Sequence, residues 1–328
     1  MMKTQLKRII NYSLLIINSA TLTAQLRWVN VDSLYRPLPA TVHVFKTTDS
    51  LDGKPNIAYY IIADLKDKRL LFDADTTLNR RFTPSQFYQK NNQPLVVVNT
   101  TFFSFQTNQN LNVVIKEGKL VSYNLKSLFN KSDSTYYYIT RSALGISKER
   151  NADVAWLYTD SLSKWPYSLT FGPSPLAGHK ANPRLKDVKW AMPCSFCRMK
   201  RKWRMQTAVG GGPVLVQRGE ISITNEREKM FTGKAINDKH PRTAMGYTKD
   251  NNLIILVVQG RFPSIAEGAT LGQEAKILQD LGCWEALNLD GGGSSCMLVN
   301  GKETIKPSDA AGQRAVPAVF IISNKQKN

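Results

Sequence analysis

The sequence predicts a sheet-rich α+β protein with few helices, folded as a single domain. Short runs of β-branched and aromatic residues, separated by Asp-Gly, Asn-Gly and similar turn pairs, recur along most of the chain and are typical of antiparallel strands. One segment, 270–281, has the length, apolar spacing and capping residues of a well-formed helix. A pattern of strand, corner and hairpin occurs more than once, which predicts an internal duplication within the domain.

The first segment, residues 1–24, has the features of a secretory signal. Three cations precede an apolar run, which ends in small residues just before Gln25. A retained membrane anchor is the alternative, but Asn11 and Asn18 interrupt the apolar run well short of the length that spans a bilayer. We therefore expect cleavage before Gln25 and a secreted or periplasmic protein with no transmembrane segment once the signal is removed.

The remaining chain, about 300 residues, suits one large domain with a substantial core. We expect an N-terminal extension at 25–40 and the domain at 41–328. The formal charge of +19 falls to +16 when the three cations of the signal are removed, and this bias favours anionic partners. Nucleic acid is a poor candidate because an exported protein rarely meets it and the sequence has no nucleic-acid-binding motif. The charge therefore favours an anionic or phosphate-containing glycan of the cell envelope or the extracellular space.

The four cysteines allow three disulfide pairings in an oxidising compartment. We expect a bridge between Cys283 and Cys296, which flank one turn, and a second between Cys194 and Cys197, which would close a small loop. A zinc site made from all four is the alternative, but one Cys-x-x-Cys pair and two distant cysteines lack the paired spacing of a zinc ribbon.

Two strand-forming segments occur twice, about a hundred residues apart. The hairpin pattern at 113–122 recurs at 213–222, and the segment 141–149, which begins Arg-Ser-Ala-Leu-Gly, recurs at 242–250 as Arg-Thr-Ala-Met-Gly. A third hairpin pattern, at 297–302, has an Asn-Gly turn. Each hairpin follows a strand that ends in an unusual corner, at Asn99, Gly210–Gly212 and Asp290–Gly293 respectively. We expect these three corners to meet in one pocket.

The corner at Asp290 gives the strongest functional signal. An apolar strand ends in this carboxylate and three glycines follow, so the turn has backbone N–H groups that no side chain shields from an anion. Asn288 lies two residues earlier, which places its amide on the same face of the strand. In the alternative interpretation the glycines only permit a tight bend, and Asp290 only caps it.

The predicted helix carries a carboxylate on its apolar face. Thr270 and Gln273 form a capping box, and Gly282 ends the helix. Apolar residues lie three, four and seven positions after Glu274, so this residue shares the stripe that faces the core. Either Glu274 is a favourable charge in the first helical turns that reaches solvent, or the helix delivers its carboxyl group to the Asp290 corner.

Five segments together resemble the phosphodiester glycosidase family. They are Asn99-Thr-Thr-Phe-Phe103, Gly210-Gly-Gly-Pro-Val-Leu-Val216, Arg242-Thr-Ala-Met-Gly246, Glu274 in its helix, and Asn288-Leu-Asp-Gly-Gly-Gly-Ser-Ser295. The resemblance covers about residues 95–322, and Thr100 and Thr101 depart from it because smaller residues are expected there. It implies hydrolysis of a sugar-1-phosphodiester to free sugar and a phosphomonoester. Separately, we expect no cofactor.

The resemblance and the residue chemistry together define a predicted site. Asp290 and Glu274 are the predicted catalytic carboxylates, which a glycosidase uses around an oxocarbenium-like transition state. The predicted substrate-binding residues are Arg242, Arg141, Asn99, Asn288, Gly211, Gly212, Gly291, Gly292, Gly293 and Ser294. The arginines can pair with phosphate oxygens, the glycine corners can donate N–H groups, and the asparagines can orient sugar hydroxyls. The alternatives are a surface ion pair for each arginine and a role in the turn itself for Asn99.

Two functions from other classes stay open. A non-catalytic glycan-binding protein of the cell surface would use aromatic side chains such as Phe102, Phe103 and Trp284 as sugar platforms. A metal-dependent phosphodiesterase would use Asp290 as a ligand. The three histidines, at positions 43, 179 and 240, are not spaced as a ligand pair, whereas Ca²⁺ or Mg²⁺ held by oxygen atoms is compatible with the sequence.

Overall fold

A computed structural model describes residues 25–169, 176–179 and 201–325. All strand pairs in these ranges are antiparallel, and the described helices are few and short, so the predicted sheet-rich α+β class is confirmed. Within the same ranges no helix is both long and apolar enough to cross a membrane. The predicted signal and the predicted Cys194–Cys197 bridge lie outside the described residues.

The largest sheet has eight strands and includes two of the predicted repeat segments. In spatial order the strands, numbered along the chain, are β1 (Val29–Asn30), β2 (Val42–Thr47), β3 (Ala58–Asp64), β19 (Asn252–Val258), β18 (Arg242–Thr248), β20 (Cys283–Asn288), β16 (Val214–Gln217) and β17 (Glu220–Ile221). Strand β1 pairs with β2, so the predicted N-terminal extension adds an edge strand to this sheet.

The described residues form three further sheets. The seven-stranded sheet has the order β14 (Arg201–Lys202), β12 (Tyr167–Ser168), β11 (Ala152–Tyr158), β10 (Arg141–Ile146), β15 (Thr207–Gly210), β6 (Val114–Lys116) and β7 (Lys119–Ser122). The five-stranded sheet has the order β22 (Lys302–Glu303), β21 (Met297–Val299), β5 (Val96–Asn99), β23 (Ala318–Asn324) and β4 (Leu70–Thr76). The three-stranded sheet has the order β13 (Leu176–His179), β9 (Thr135–Tyr138) and β8 (Ser127–Asn130).

The described α-helices are α1 (Pro84–Lys90), α2 (Asn225–Glu228) and α3 (Leu271–Asp280). Helix α3 has the predicted capping box, because the Thr270 hydroxyl accepts from the Gln273 N–H and the Gln273 side chain accepts from the Thr270 N–H. Short 3-10 turns occupy Asp32–Leu34, Gly233–Ile236 and Gly292–Ser294.

The three larger sheets share one apolar core and one strand order. Their buried residues, such as Ile61, Leu144 and Val98, belong to a single cluster, which confirms one domain. Each sheet contains a hairpin, then a strand that ends in a corner, then two further strands: β17-β16-β20-β18-β19, β7-β6-β15-β10-β11 and β22-β21-β5-β23-β4. The predicted duplication is therefore present, and the third hairpin extends it to a third sheet.

The chain changes sheets at every corner. The hairpin that follows the Asn99 corner pairs with β15, the hairpin after the Gly210–Gly212 corner pairs with β20, and the hairpin after the Asp290 corner pairs with β5. Because each corner connects one sheet to the next in a closed cycle, the three corners are forced together where the sheets meet.

Hydrogen bonds join the Asn99 corner to the Asp290 corner. The Asn99 Nδ2 donates to the Asp290 carbonyl oxygen at 2.5 Å, and the Asp290 N–H donates to the Thr100 carbonyl oxygen at 2.7 Å. The Asn99 Oδ1 accepts from the Thr243 hydroxyl at 2.9 Å and from the Cys296 N–H at 3.0 Å. This buried side-chain amide thus uses three of its four hydrogen-bond positions with protein partners, and one N–H of Nδ2 is left over.

The Gly210–Gly212 corner packs on the same point. The Gly212 N–H donates to the Asn288 carbonyl oxygen at 2.8 Å, and the Asn288 Nδ2 donates to the Gly212 carbonyl oxygen at 2.8 Å. A Cβ on Gly211 would collide with the Asn288 carbonyl oxygen, so this approach requires glycine. The prediction that the three corners meet is confirmed.

The predicted disulfide between Cys283 and Cys296 is wrong. Both residues are buried free thiols. Cys283 packs among the apolar residues around α3, whereas Cys296 packs with Phe87 and its neighbours, so the two sulfur atoms lie in separate apolar clusters. Burial raises the pKa of the Cys283 thiol to about 12 and also raises the pKa of the Cys296 thiol. Asn99, not a covalent bridge, holds the base of the turn.

Replacing Asn99 with Ala should lower the free energy of unfolding by about 2 to 4 kcal/mol, because the Asp290 carbonyl and the Cys296 N–H would lose their partner in a buried place. Urea unfolding of the variant measures this. Asn130→Ala, at a half-buried position at the end of β8, is the control and should change stability by less than about 1 kcal/mol. A change in Asn99→Ala no larger than in the control would contradict the role given to this amide.

Candidate active site

The Asp290 carboxyl group lies at the start of the glycine turn. The residue is half-buried, while its Oδ2 atom is buried and has no hydrogen-bond partner within the described residues. Burial raises the pKa of this carboxyl to about 7, although a hydrogen bond from Ser294, the charge of Arg314 and the Gly291 N–H each lower it. The site therefore holds a carboxyl group that changes charge near neutral pH.

The glycine turn makes fewer N–H groups available than the sequence suggests. The Asp290 N–H donates to Thr100 and the Gly292 N–H donates to the Pro241 carbonyl oxygen at 2.8 Å. Gly292 has a φ of +62°, which a residue with a side chain adopts only with strain. The turn is thus folded onto the start of β18, and these two N–H groups are not free to bind a ligand.

Glu274 projects from the apolar face of α3 and is fully buried. Neither of its carboxyl oxygens has a hydrogen-bond partner within the described residues. Burial raises its pKa to about 8, and the positive charge of Arg242 offsets this only in part. The interpretation in which Glu274 reaches solvent is wrong, because no part of it is exposed.

Arg242 begins β18, and its backbone lies beside Gly291 of the glycine turn. Its Nε donates to the Ala269 carbonyl oxygen at 2.8 Å and its Nη2 to the Asp238 carbonyl oxygen at 3.3 Å. The guanidinium lies 5.9 Å from the centroid of the Phe231 ring, and its charge acts on Glu274. Arg242 is buried and does not form the surface ion pair of the alternative interpretation.

Arg141, the repeat counterpart of Arg242, lies at the Gly212 corner. Its guanidinium donates to the carbonyl oxygens of Glu228 and Lys229 and contacts the Met230 sulfur. Burial lowers the pKa of the Arg141 guanidinium to about 10. The donors of this arginine are therefore committed to the loop after α2 rather than directed at Asp290.

The two predicted asparagines differ in how many of their side-chain atoms are hydrogen-bonded within the protein. The Asn99 amide joins two corners, which favours its role in the turn. Asn288 donates to Gly212, but its Oδ1 is buried and has no hydrogen-bond partner within the described part of the chain. Of the predicted sugar-binding atoms, this oxygen fits a ligand contact better than the Asn99 amide does.

Two arginines that sequence reasoning missed lie against the glycine turn. A Cβ on Gly292 would be 2.9 Å from Arg261 Nη2, and a Cβ on Gly293 would collide with the Arg314 guanidinium. Arg314 donates from Nε to Asp309 at 2.7 Å and from Nη1 to the Ser294 hydroxyl at 3.5 Å. Arg261 is exposed, and within the described ranges it forms no ion pair. Both guanidinium groups therefore surround the Asp290 turn at an accessible edge.

A sequence signal for Arg314 exists in the third repeat. Ala143 pairs with Gly210, Ala244 with Asn288 and Val319 with Asn99, so β23 occupies the position of the two arginine-bearing strands. Arg141 and Arg242 lie two residues before Ala143 and Ala244, and Arg314 lies five residues before Val319, so the third arginine occurs in the same region of the repeat but not at the same register. No comparable local pattern marks Arg261.

Another missed residue, Glu228, is a buried structural carboxylate. It accepts hydrogen bonds from five groups, which are the Ser142 N–H, the Ser142 hydroxyl, the Trp156 Nε1, the Val214 N–H and the Thr224 hydroxyl. These partners tie β10 and β11 to β16. The carboxylate is fully satisfied and fully buried, so it stabilises the Gly212 corner and is not available to a substrate.

The glycan-binding alternative finds less support. Phe103 is buried, and Trp284 lies near the start of β20, at the end far from Asp290, where Lys249 Nζ lies 4.0 Å from its ring centroid. Among the described residues, no three His, Cys, Asp or Glu side chains form a group that could hold a metal ion.

Comparison with known proteins identifies the class of this arrangement. A family profile described as phosphodiester glycosidase matches residues 92–323, and the chain belongs to that family. The match begins just before the Asn99 corner and ends within β23, so it includes all three corners.

Two relatives and one solved structure are similar to the chain. It is 39% identical over 95 residues to the SPbeta prophage-derived protein YomE of Bacillus subtilis (strain 168), covering 29% of this chain and 14% of that protein. It is 32% identical over 103 residues to N-acetylglucosamine-1-phosphodiester alpha-N-acetylglucosaminidase of Mus musculus, covering 29% and 20%. The solved catalytic domain of the zebrafish protein of that name is 22% identical, with a TM-score of 0.55, over 92% of this chain and 89% of that chain. The matched stretches are a minor part of both sequence relatives, and the structural likeness shows the fold.

The buried Glu274 predicts a pH-dependent stability. Between the ordinary pKa of 4.5 and the folded value of about 8, the folded protein keeps a proton that the unfolded chain releases, so this group makes stability fall as pH rises. Glu274→Gln removes the titration, and its stability relative to the parent should therefore increase by on the order of a few kcal/mol between about pH 5 and pH 8.

Urea unfolding across this pH range measures the difference. Glu220→Gln, at an exposed position, makes the same chemical change where the side chain stays in water and should show no such trend. A Glu274→Gln difference that does not vary with pH would mean that Glu274 is ionised throughout.

Proposed function

We propose that the protein hydrolyses a sugar-1-phosphodiester at the Asp290 corner and releases free sugar and a phosphomonoester. The observation that carries the proposal is that one glycine turn brings together a carboxyl group and the guanidinium groups of Arg261 and Arg314. Membership of the phosphodiester glycosidase family supports the same reaction class.

The reaction needs strong binding of phosphate more than strong acid catalysis. The bond between the anomeric carbon and the phosphate oxygen breaks, its electron pair leaves with the phosphomonoester, and water oxygen bonds to the anomeric carbon. A phosphomonoester is a good leaving group at neutral pH, so the main requirement is to hold its negative charge as the bond breaks. Arg261 and Arg314 are accessible for this role, and Arg242 lies deeper with its Nη1 free of hydrogen bonds to the described residues.

We assign the two carboxyl groups by their positions. Asp290 lies at the glycine turn beside the guanidinium groups of Arg261 and Arg314, where it can act as nucleophile or base. Glu274 is fully buried without a hydrogen-bond partner within the described residues, and burial raises its pKa and so favours its protonated form, which suits the role of acid or stabiliser. Glycoside hydrolysis uses such a pair of carboxyl groups in two different roles.

The setting and substrate class follow from the charge of the chain. A formal charge of +19 and a signal-like N-terminus support an exported protein that acts on anionic or phosphate-containing glycans of the envelope or the extracellular space. The substrate itself carries the negative charge that the arginines would bind.

A panel of sugar-1-phosphodiesters and plain dialkyl phosphodiesters, each with and without a chelator, tests the reaction class. The proposal expects free sugar from members of the first group, no cleavage of the second, and the same rates with chelator. Cleavage of plain phosphodiesters that the chelator abolishes would support a metal-dependent phosphodiesterase. Binding of the glycans without turnover would support a glycan-binding protein.

Asp290→Asn should lower turnover of a cleaved substrate by two or more orders of magnitude, about 3 kcal/mol or more of barrier, because it keeps the shape but removes the charge. Asp250→Asn, at an exposed position after β18, removes the same charge and should leave turnover within about twofold of the parent. Equal turnover in both variants would exclude Asp290 as the reacting carboxylate.

A further inference from the structure

A cluster of stacked arginine and phenylalanine side chains borders the proposed site. The cluster, which we call the stacked rim, consists of Arg81, Phe103, Phe105 and Arg314. The rings of Phe103 and Phe105 lie 4.7 Å apart, centroid to centroid, and 63% of Phe105 is exposed. The Arg81 guanidinium carbon lies 5.2 Å from the Phe103 centroid and 5.4 Å from that of Phe105. Such stacking orients a guanidinium and leaves its N–H groups in the plane free to donate.

The donors of Arg81 have no protein acceptor. Within the described residues Arg81 makes no hydrogen bond and no ion pair, and its contacts are with the two rings. Arg314 is different, because Asp309 accepts from its Nε. A half-buried guanidinium that is held in place by aromatic rings and keeps all its donors is suited to bind an oxyanion in a fork geometry.

The stacked rim is continuous with the Asp290 turn. Arg314 contacts Phe105, with 5.4 Å between the guanidinium carbon and the ring centroid, and it also reaches Ser294 and acts on the charge of Asp290. Because the guanidinium carbons of Arg81 and Arg314 each lie 5.4 Å from the Phe105 centroid, they are at most twice that distance apart. An anion on Arg81 is therefore close to the turn, although Arg81 itself makes neither the Ser294 contact nor the Asp290 interaction that Arg314 makes.

We propose that Arg81 and the exposed Phe105 form a second anion subsite, which binds a further phosphate group of the substrate beside the phosphodiester that is cleaved. This inference rests on the proposed function and specifies its substrate class as a chain that bears at least two phosphate groups, such as a polymer of sugar phosphodiesters. The aromatic ring would contact the apolar face of the unit between the two phosphates, and Arg314 would lie between the two anions.

The test compares two sugar-1-phosphodiesters that differ in one group. In one the phosphate carries a neutral alkyl alcohol, and in the other the same alcohol carries a second phosphate at its far end. The parent should prefer the second substrate, measured as the ratio of the two kcat/KM values. In Arg81→Ala this ratio should fall about tenfold, the loss expected for one charge-assisted contact. Arg81→Lys keeps the charge without the planar fork, so its ratio should lie between those of the parent and Arg81→Ala.

Arg80→Ala is the matched control. Arg80 is the adjacent residue, is exposed, and stacks on another ring, with 5.3 Å between its guanidinium carbon and the centroid of Phe82. The Arg80→Ala substitution removes the same charge from the same loop, so the ratio of the two kcat/KM values should stay at that of the parent. Equal losses in Arg80→Ala and Arg81→Ala would show a diffuse charge effect and overturn the subsite, as would an unchanged ratio in Arg81→Ala.

A binding measurement separates this inference from the proposed function. Inorganic tripolyphosphate, titrated into the full-length protein and followed by calorimetry, should bind about tenfold more weakly to Arg81→Ala than to the parent or to Arg80→Ala. If the parent cleaves neither substrate, the proposed function fails, and this titration alone decides the subsite. Equal affinities in the three proteins would overturn it.

Discussion

The structure depends on the crossing of the chain at three corners. Each corner passes the chain from one sheet to the next, and the cycle closes only because the corners at Asn99, Gly212 and Asp290 fit against one another. Side-chain amides replace ladder hydrogen bonds where the strands end, with Asn99 bonded to Asp290 and Asn288 bonded to Gly212. Glycine is needed at the crossing because a Cβ on Gly211 would meet the Asn288 carbonyl. The site is thus placed where three sheets meet, and its groups are held in position without a bridge between Cys283 and Cys296.

Burial explains the charge state of the site. Asp290 ends a strand at the crossing and Glu274 lies on the apolar face of α3, and in both places the loss of solvation raises the pKa of the carboxyl group, to about 7 and about 8 respectively. The arginines near the site differ in burial. Arg141 and Arg242 are buried and bonded to backbone carbonyls, whereas Arg261 and Arg314 lie at the accessible edge of the glycine turn. Buried carboxyl groups below an accessible cationic edge suit a reaction in which a charged phosphate leaves and an uncharged sugar is attacked.

Sequence reasoning found what is local and repeated. The alternating strands, the capping box of α3, the three corners and the place of Glu274 on the apolar stripe of α3 all follow from spacing and residue type, and the structure has each of them. It failed where the outcome depends on contacts between distant segments. Cys283 and Cys296 are close in sequence but enter separate apolar clusters, so a pairing inferred from their spacing was wrong. Arg261 and Arg81 come from loops without a motif. Only the packing of Arg261 on Gly292, and of Arg81 on Phe103 and Phe105, shows where they lie.

The position of bond cleavage tests the central claim most directly. Hydrolysis of a sugar-1-phosphodiester in ¹⁸O-labelled water, followed by mass spectrometry of both products at early times, shows which atom the water attacks. If the Asp290 corner acts on the anomeric carbon, the label enters the sugar, the phosphomonoester stays unlabelled, and Asp290→Asn slows the release of both products to the same extent. Label in the phosphomonoester with an unlabelled sugar would mean attack at phosphorus, and it would contradict the assignment of this site as a glycosidase.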